Sequence, residues 1–181
     1  MKKRRVVLSG CSGGGKSTLL EEMARRGYTT VAEPGRRVIA AEQEHSGDGL
    51  PWINPESFCR KVIQTSFDDV TKAPDGLVLF DRSALDALIW FDRTGANLES
   101  SLRDKILSLG YDHCVYLFPP WPEIYVKDEQ RRHDLSDALE EYEALCDRLP
   151  TLGFQTALVP KKPVADRADW FEAQLNKGQT T

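Results

Sequence analysis

The chain has 181 residues, 40% hydrophobic and 29% charged, enough for about one domain with its own core and too apolar for general disorder. Its 24 basic and 28 acidic residues give a net charge of −4, which argues against the broad basic face of a general nucleic-acid binder. No apolar run approaches the roughly 18 residues of a membrane-spanning helix, and Val6-Val7-Leu8 after the basic start is too short for a secretory signal, despite the lipoprotein-like Leu8-Ser9-Gly10-Cys11.

In chain order, Arg5 to Ser9 is a short apolar run ending in glycines and reads as a buried strand. Lys16 to Arg26 has helical spacing, with Leu19, Leu20 and Met23 on one face, and Gly27 stops it. Tyr28 to Ala32 reads as a second strand, Arg36 to Gln43 as a short helix and His45 to Pro55 as a loop. Pro55 to Lys72 is a helix with proline in its first turn. Gly76 to Phe80 is continuously apolar, the mark of a strand covered on both faces. Ser83 to Arg93 is a helix capped by Ser83 and closed near Gly95, and Leu98 to Leu109 is another. His113 to Phe118 is a strand, Pro119 to Pro122 breaks the chain, and Glu123 to Leu149 reads as a charged helix. Phe154 to Val159 and Val164 to Lys177 supply a last strand and helix. This alternation predicts an α/β fold with a parallel sheet covered on both faces. The chain shows no internal repeat and no linker, so it reads as a single domain over 1–181.

Cys11, Cys59, Cys114 and Cys146 form no C-x-x-C pair. A chain of this length needs no disulfide framework, so they read as reduced and the protein as cytoplasmic.

Gly10-Cys11-Ser12-Gly13-Gly14-Gly15-Lys16-Ser17 fits the phosphate-loop pattern G-x-x-x-x-G-K-[S/T] without a mismatch. Its glycines let successive backbone N–H groups turn toward phosphate oxygens, and the following helix presents its positive end to the same anion. Gly10, Ser12, Gly13, Gly14, Gly15, Lys16, Ser17 and Thr18 are therefore the expected nucleotide-binding residues. Lys16 should reach the outer phosphates and Ser17 should bind Mg²⁺. Cys11 lies inside the loop, where a helix N-terminus can acidify a thiol. The second position of such a loop also tolerates almost any residue.

Leu77-Val78-Leu79-Phe80-Asp81 is an apolar strand delivering a carboxylate at its carboxyl end, where parallel sheets bind ligands. Asp81 is the expected second Mg²⁺ group, although an aspartate here could also cap the next helix. Glu33-Pro34 ends the second strand, with proline expected to stop the chain there. Glu33 would take the proton of a substrate hydroxyl or hold that hydroxyl, or else pair with Arg36 or Arg37. Lys127 and Arg131 share a helix face, and a lid arginine there would neutralise transferring phosphoryl charge. Asp128, Glu129 and Asp134 equally permit a solvated, salt-bridged helix.

The chain resembles the small P-loop kinase-like proteins described as ATPases of the AAA type, a group that includes the ribosylnicotinamide kinase domain of the bacterial NAD regulator. The resemblance rests on Gly10 to Ser17, Glu33-Pro34-Gly35-Arg36, Asp81-Arg82-Ser83 with Asp86, Asp128-x-x-Arg131, and the closing runs Gly153 to Pro160 and Val164 to Arg167. A more distant similarity is to deoxynucleoside kinases, which carry Glu-Arg-Ser where this chain has Asp81-Arg82-Ser83. That departure leaves either Glu33 or Asp81 as the base. The resemblance implies a three-layer P-loop NTPase fold with a five-stranded parallel sheet of order 2-3-1-4-5. It also implies a helical lid over about 119–135 and adenine near Pro160 to Ala165.

The function expected is a small-molecule kinase using ATP and Mg²⁺, with catalytic residues Lys16, Glu33, Asp81, Arg82 and Arg131. Its partners are a nucleotide and a small-molecule acceptor near Glu33, Arg82 and Asp86, with Trp52, Phe58, Trp90 and Phe91 as candidate stacking residues. The alternative is an ATP-dependent switch. A GTPase is disfavoured: Thr71-Lys72-Ala73-Pro74-Asp75 misses the guanine motif by one residue, and Asp92-Arg93-Thr94-Gly95 closes a helix instead of following a strand. A motor ATPase would need helical domains for which 181 residues leave no room.

Overall fold

The computed structural model describes residues 3–124 and 135–177. Five strands form one sheet in which every pairing is parallel: β1 (Arg4–Gly10), β2 (Thr29–Val31), β3 (Leu77–Asp81), β4 (Cys114–Phe118) and β5 (Gln155–Leu158). Their order is β2-β3-β1-β4-β5, as expected. Leu8 lies opposite both Asp81 and Tyr116. The phosphate-loop strand is therefore flanked by the Asp81 strand on one side and by β4 on the other.

Alternate side chains of a strand point to opposite faces, and both faces are covered here. Val7, Val115 and Leu117 pack with α3 (Pro55–Lys72), α4 (Ala84–Thr94) and α6 (Leu135–Thr151). Val6, Leu8, Leu79, Tyr116 and Phe118 pack with α1 (Lys16–Arg25) and α7 (Val164–Lys177). The outer strands β2 and β5 are short, with 3 and 4 residues, which limits the open edge each offers to other chains. No helix among the described residues is long and apolar enough to cross a membrane.

The helix ends follow local chemistry. In α3, Asn54 accepts a hydrogen bond from the Ser57 N–H at 3.1 Å, and Pro55 occupies the first helical position. In α4, the Ser83 hydroxyl accepts from the Leu85 N–H at 3.2 Å and the Asp86 carboxylate accepts from the Ser83 N–H at 2.9 Å. Such reciprocal caps stabilise a helix start by about 1 kcal/mol.

Several boundaries differ from expectation. Pro34 opens α2 (Pro34–Glu44) instead of merely stopping the chain, because a missing N–H costs nothing at a first helical position. The helix expected over Leu98 to Leu109 is α5 (Ser100–Leu107). Of the segment expected to be helical from Glu123, residues Pro122–Ile124 form a single 3₁₀ turn and helix resumes in α6. Lys127 and Arg131 lie outside the described residues.

Candidate active site

β1 delivers the phosphate loop at the carboxyl edge of the sheet. Gly10 has φ +115°, and a Cβ there would stand 2.4 Å from the Phe118 carbonyl oxygen. The glycine thus serves close packing against β4 as well as the turn. Gly15, at φ 85°, is the N-cap of α1 and supplies no side-chain cap, so the helix start has no capping oxygen from that residue.

Lys16 is 6% exposed. Its Nζ folds back onto the loop, donating to the Gly10 carbonyl at 3.2 Å and the Cys11 carbonyl at 2.8 Å. Burial, aided by nearby Arg82 and opposed by Asp81, Glu33 and Asp86, lowers its pKa to about 8. An ammonium held this way is a cation short of an anion.

The Ser17 hydroxyl donates to Asp81 Oδ2 at 3.1 Å, while Asp81 Oδ1 is buried with no hydrogen-bond partner among the described residues. Burial pushes the Asp81 carboxyl up, against the pull of Lys16. A buried carboxylate with one vacant oxygen beside a hydroxyl suits Mg²⁺, which takes few protein oxygens and completes its shell with phosphate and water. No denser group of three metal-ligating side chains occurs among the described residues. Ser17 and Asp81 therefore come together as the sequence required.

Arg82 follows β3 with φ 61°, a left-handed backbone that costs a non-glycine residue on the order of 1–3 kcal/mol. The turn swings its side chain across the sheet edge, where Nη1 donates to Asp86 Oδ1 at 3.0 Å and Nε lies 3.4 Å from Glu33 Oε1. Ser9 also donates to Asp86. Asp86 thus serves the Ser83 cap, Ser9 and Arg82 together. Glu33 accepts from Arg36 Nε at 3.2 Å as well, so the pairing with Arg36 and a place in the site coexist.

Two cavities open beside these residues. One, of about 590 Å³, is lined by the loop, Trp121, Lys161, Pro163 and Arg167, at the edge where adenine was expected. The other, of about 180 Å³, lies among α2, α3, α4 and α6, with Phe58, Trp90 and Leu145 on its walls. Ser12, Glu33 and Arg82 line both. Phe58 and Trp90 thus reach the second cavity. Phe91 is 2% exposed in the core beneath Arg60, and Trp52 lines neither cavity. Cys11 is 1% exposed, its Sγ faces the Ala138 carbonyl at 3.6 Å, and burial pushes its thiol up, so the loop holds no acidified cysteine. Sequence reasoning missed Arg167 and Trp121 as lining residues, since a lone arginine in an amphipathic helix resembles a surface charge.

The family model described as an AAA domain matches residues 5–167. The chain belongs to this family. Comparison with proteins of curated function gives no match. Among solved structures, the chain is similar to deoxyadenosine kinase from M. mycoides with dCMP and dCDP bound. Identity is 16% and the TM-score 0.69, covering 96% of this chain and 98% of that one. It is also similar to shikimate kinase from Acinetobacter baumannii in complex with shikimate, at 13% identity and TM-score 0.63, covering 99% and 96%. At such identities the likeness shows the fold. The chain thus joins an AAA domain to the fold that these two kinases share.

Proposed function

We propose that the protein transfers the γ-phosphoryl group of ATP, with Mg²⁺, to a hydroxyl of a small molecule: a nucleoside, a nucleotide or a related riboside. The observation that carries this reading is the shared boundary of the two cavities. A nucleotide laid along the phosphate loop presents its terminal phosphate to Ser12, Glu33 and Arg82, and a molecule in the second cavity meets the same three residues. Transfer needs donor and acceptor in contact with water displaced. The kinase structures of the same fold bind a nucleotide product and shikimate, which supports the reading by analogy.

Lys16 exchanges the loop carbonyls for phosphate oxygens. Ser17 and Asp81 would hold Mg²⁺, which would supply positive charge to the phosphate oxygens. Asp81 stays on the donor side through Ser17, whereas Glu33 borders both cavities, so Glu33 is the better base. The acceptor O–H proton passes to Glu33 as the new O–P bond forms, and the bond from γ-phosphorus to the bridging oxygen breaks to release ADP. Arg82, fixed by Asp86, faces the charge that spreads over the moving phosphoryl group. Arg131 would approach it from a lid over about 119–135. The whole of 1–181 acts as one domain in this reading, in the cytoplasm, where ATP is at hand.

The test is incubation with Mg·ATP and a pooled library of nucleosides, nucleotides and small hydroxylated metabolites, read by mass spectrometry. A product heavier by one phosphoryl group, absent with Lys16→Ala, supports the kinase and names its acceptor. Tight ATP binding with no phosphorylated product across the pool favours the regulatory ATPase instead.

A further inference from the structure

One buried charge in the nucleotide cavity has no place in the scheme above. Arg167 stands in the first turn of α7 and is 4% exposed. Its Nη1 donates to the Gly15 carbonyl at 3.0 Å, and its guanidinium packs 5.4 Å from the Trp121 ring. No carboxylate pairs with it among the described residues, and its Nε is buried with no hydrogen-bond partner there. A buried charge without a counterion is costly, and arginine cannot relieve the cost by losing its proton.

The contact with Gly15 has a geometric consequence. In a trans peptide the carbonyl and the following N–H point in opposite directions. The Gly15 oxygen also accepts the first helical hydrogen bond of α1, from the Leu19 N–H at 3.2 Å, so Arg167 adds a second hold, from α7, on the peptide that carries the Lys16 N–H. The same contact constrains position 15: a Cβ there would stand 2.6 Å from Arg167 Nη1. The loop's last glycine makes room for the arginine as well as adopting φ 85°.

We propose that Arg167 is a nucleotide-positioning residue, which orients the Gly15–Lys16 peptide from α7 and supplies an unpaired positive charge that a nucleoside di- or triphosphate completes. This rests on the donor-site reading above and extends it from the motif to a residue about 150 positions away.

The test is titration calorimetry with ADP and ATP on the full chain, beside the melting temperature of the nucleotide-free protein. Arg167→Met keeps the length without the charge, and Arg167→Lys keeps the charge without the planar fork. Arg167→Met should bind ADP and ATP at least about tenfold more weakly, the worth of one charge-assisted hydrogen bond. It should melt no lower than the parent, because an uncompensated charge is gone. Arg167→Lys should recover part of the affinity. A merely structural arginine predicts the reverse: a lower melting temperature and an ADP dissociation constant within about twofold of the parent, which would overturn the proposal. If Arg167→Met does not fold, Arg167→Lys decides, with a loss of threefold or more in support and a change under twofold against. Parent protein that binds neither ADP nor ATP would overturn the donor-site reading itself, and this proposal with it.

Discussion

Replacing Lys16 by methionine should abolish phosphoryl transfer and yet stabilise the nucleotide-free protein near neutral pH. The lysine is 6% exposed, and burial lowers its pKa from 10.5 to about 8. That fall corresponds to about 3 kcal/mol of penalty on the charged form. Methionine removes the penalty and gives up the bonds to the Gly10 and Cys11 carbonyls, worth about 1 kcal/mol. The net gain at pH 7 is about 2 kcal/mol, or roughly 4–8 °C in melting temperature for a chain of this size. The sign with pH is definite. Between about 8 and 10.5 the unfolded lysine holds its proton and the folded one does not, so the parent gains stability as pH rises through this window. Thermal or urea unfolding of both proteins without nucleotide, at pH 7.0, 8.5 and 9.5, reads this directly. The variant's advantage should shrink by roughly 2 kcal/mol across the series. An advantage constant with pH, or a parent more stable than the variant at pH 7, would refute the reasoning.

Three further expectations follow from the same geometry. Glu33→Gln should keep the dissociation constant for ATP and slow transfer by roughly 10²–10⁴; rapid-quench assays of product formation would expose an unchanged rate, which would make Glu33 a holder of Arg36 and Arg82 alone. Gly10→Ala must accommodate a Cβ 2.4 Å from the Phe118 carbonyl oxygen at φ +115°, and should lower stability by more than about 3 kcal/mol, measurable by urea unfolding. Cys11 and Cys59 are buried, and burial raises both thiols, Cys59 to about 12; mass mapping after iodoacetamide at pH 8 should find both unlabelled while the half-buried Cys146 reacts.

The sheet was legible because its strands are written as local patterns. Leu77 to Phe80 has no polar residue, as a doubly covered strand demands, and Gly10 to Ser17 identifies its neighbour. With that loop identified, an apolar strand ending in Asp81 sets its carboxylate beside Ser17. Other features lay out of reach for physical reasons. Pro34 carries the same meaning at the end of a strand and at the start of a helix, and only the tertiary path separates them. Arg82 has an ordinary side chain, and its left-handed backbone is imposed by the turn from β3 into a capped helix. Phe91 and Trp90 are adjacent, yet helical rotation sends one into the core and the other to a cavity wall. Arg167 meets Gly15 across 152 positions, a pairing set by how α7 docks on α1.

The claim that one transfer site spans the two cavities is tested most directly by the acceptor dependence of ATP consumption. ADP and phosphorylated product should be measured together, with and without the acceptor that the pooled search identifies. The account predicts that ADP formation accelerates with acceptor and that the two products appear one for one. ADP formation indifferent to every compound in the pool, with all released phosphate inorganic, would contradict it.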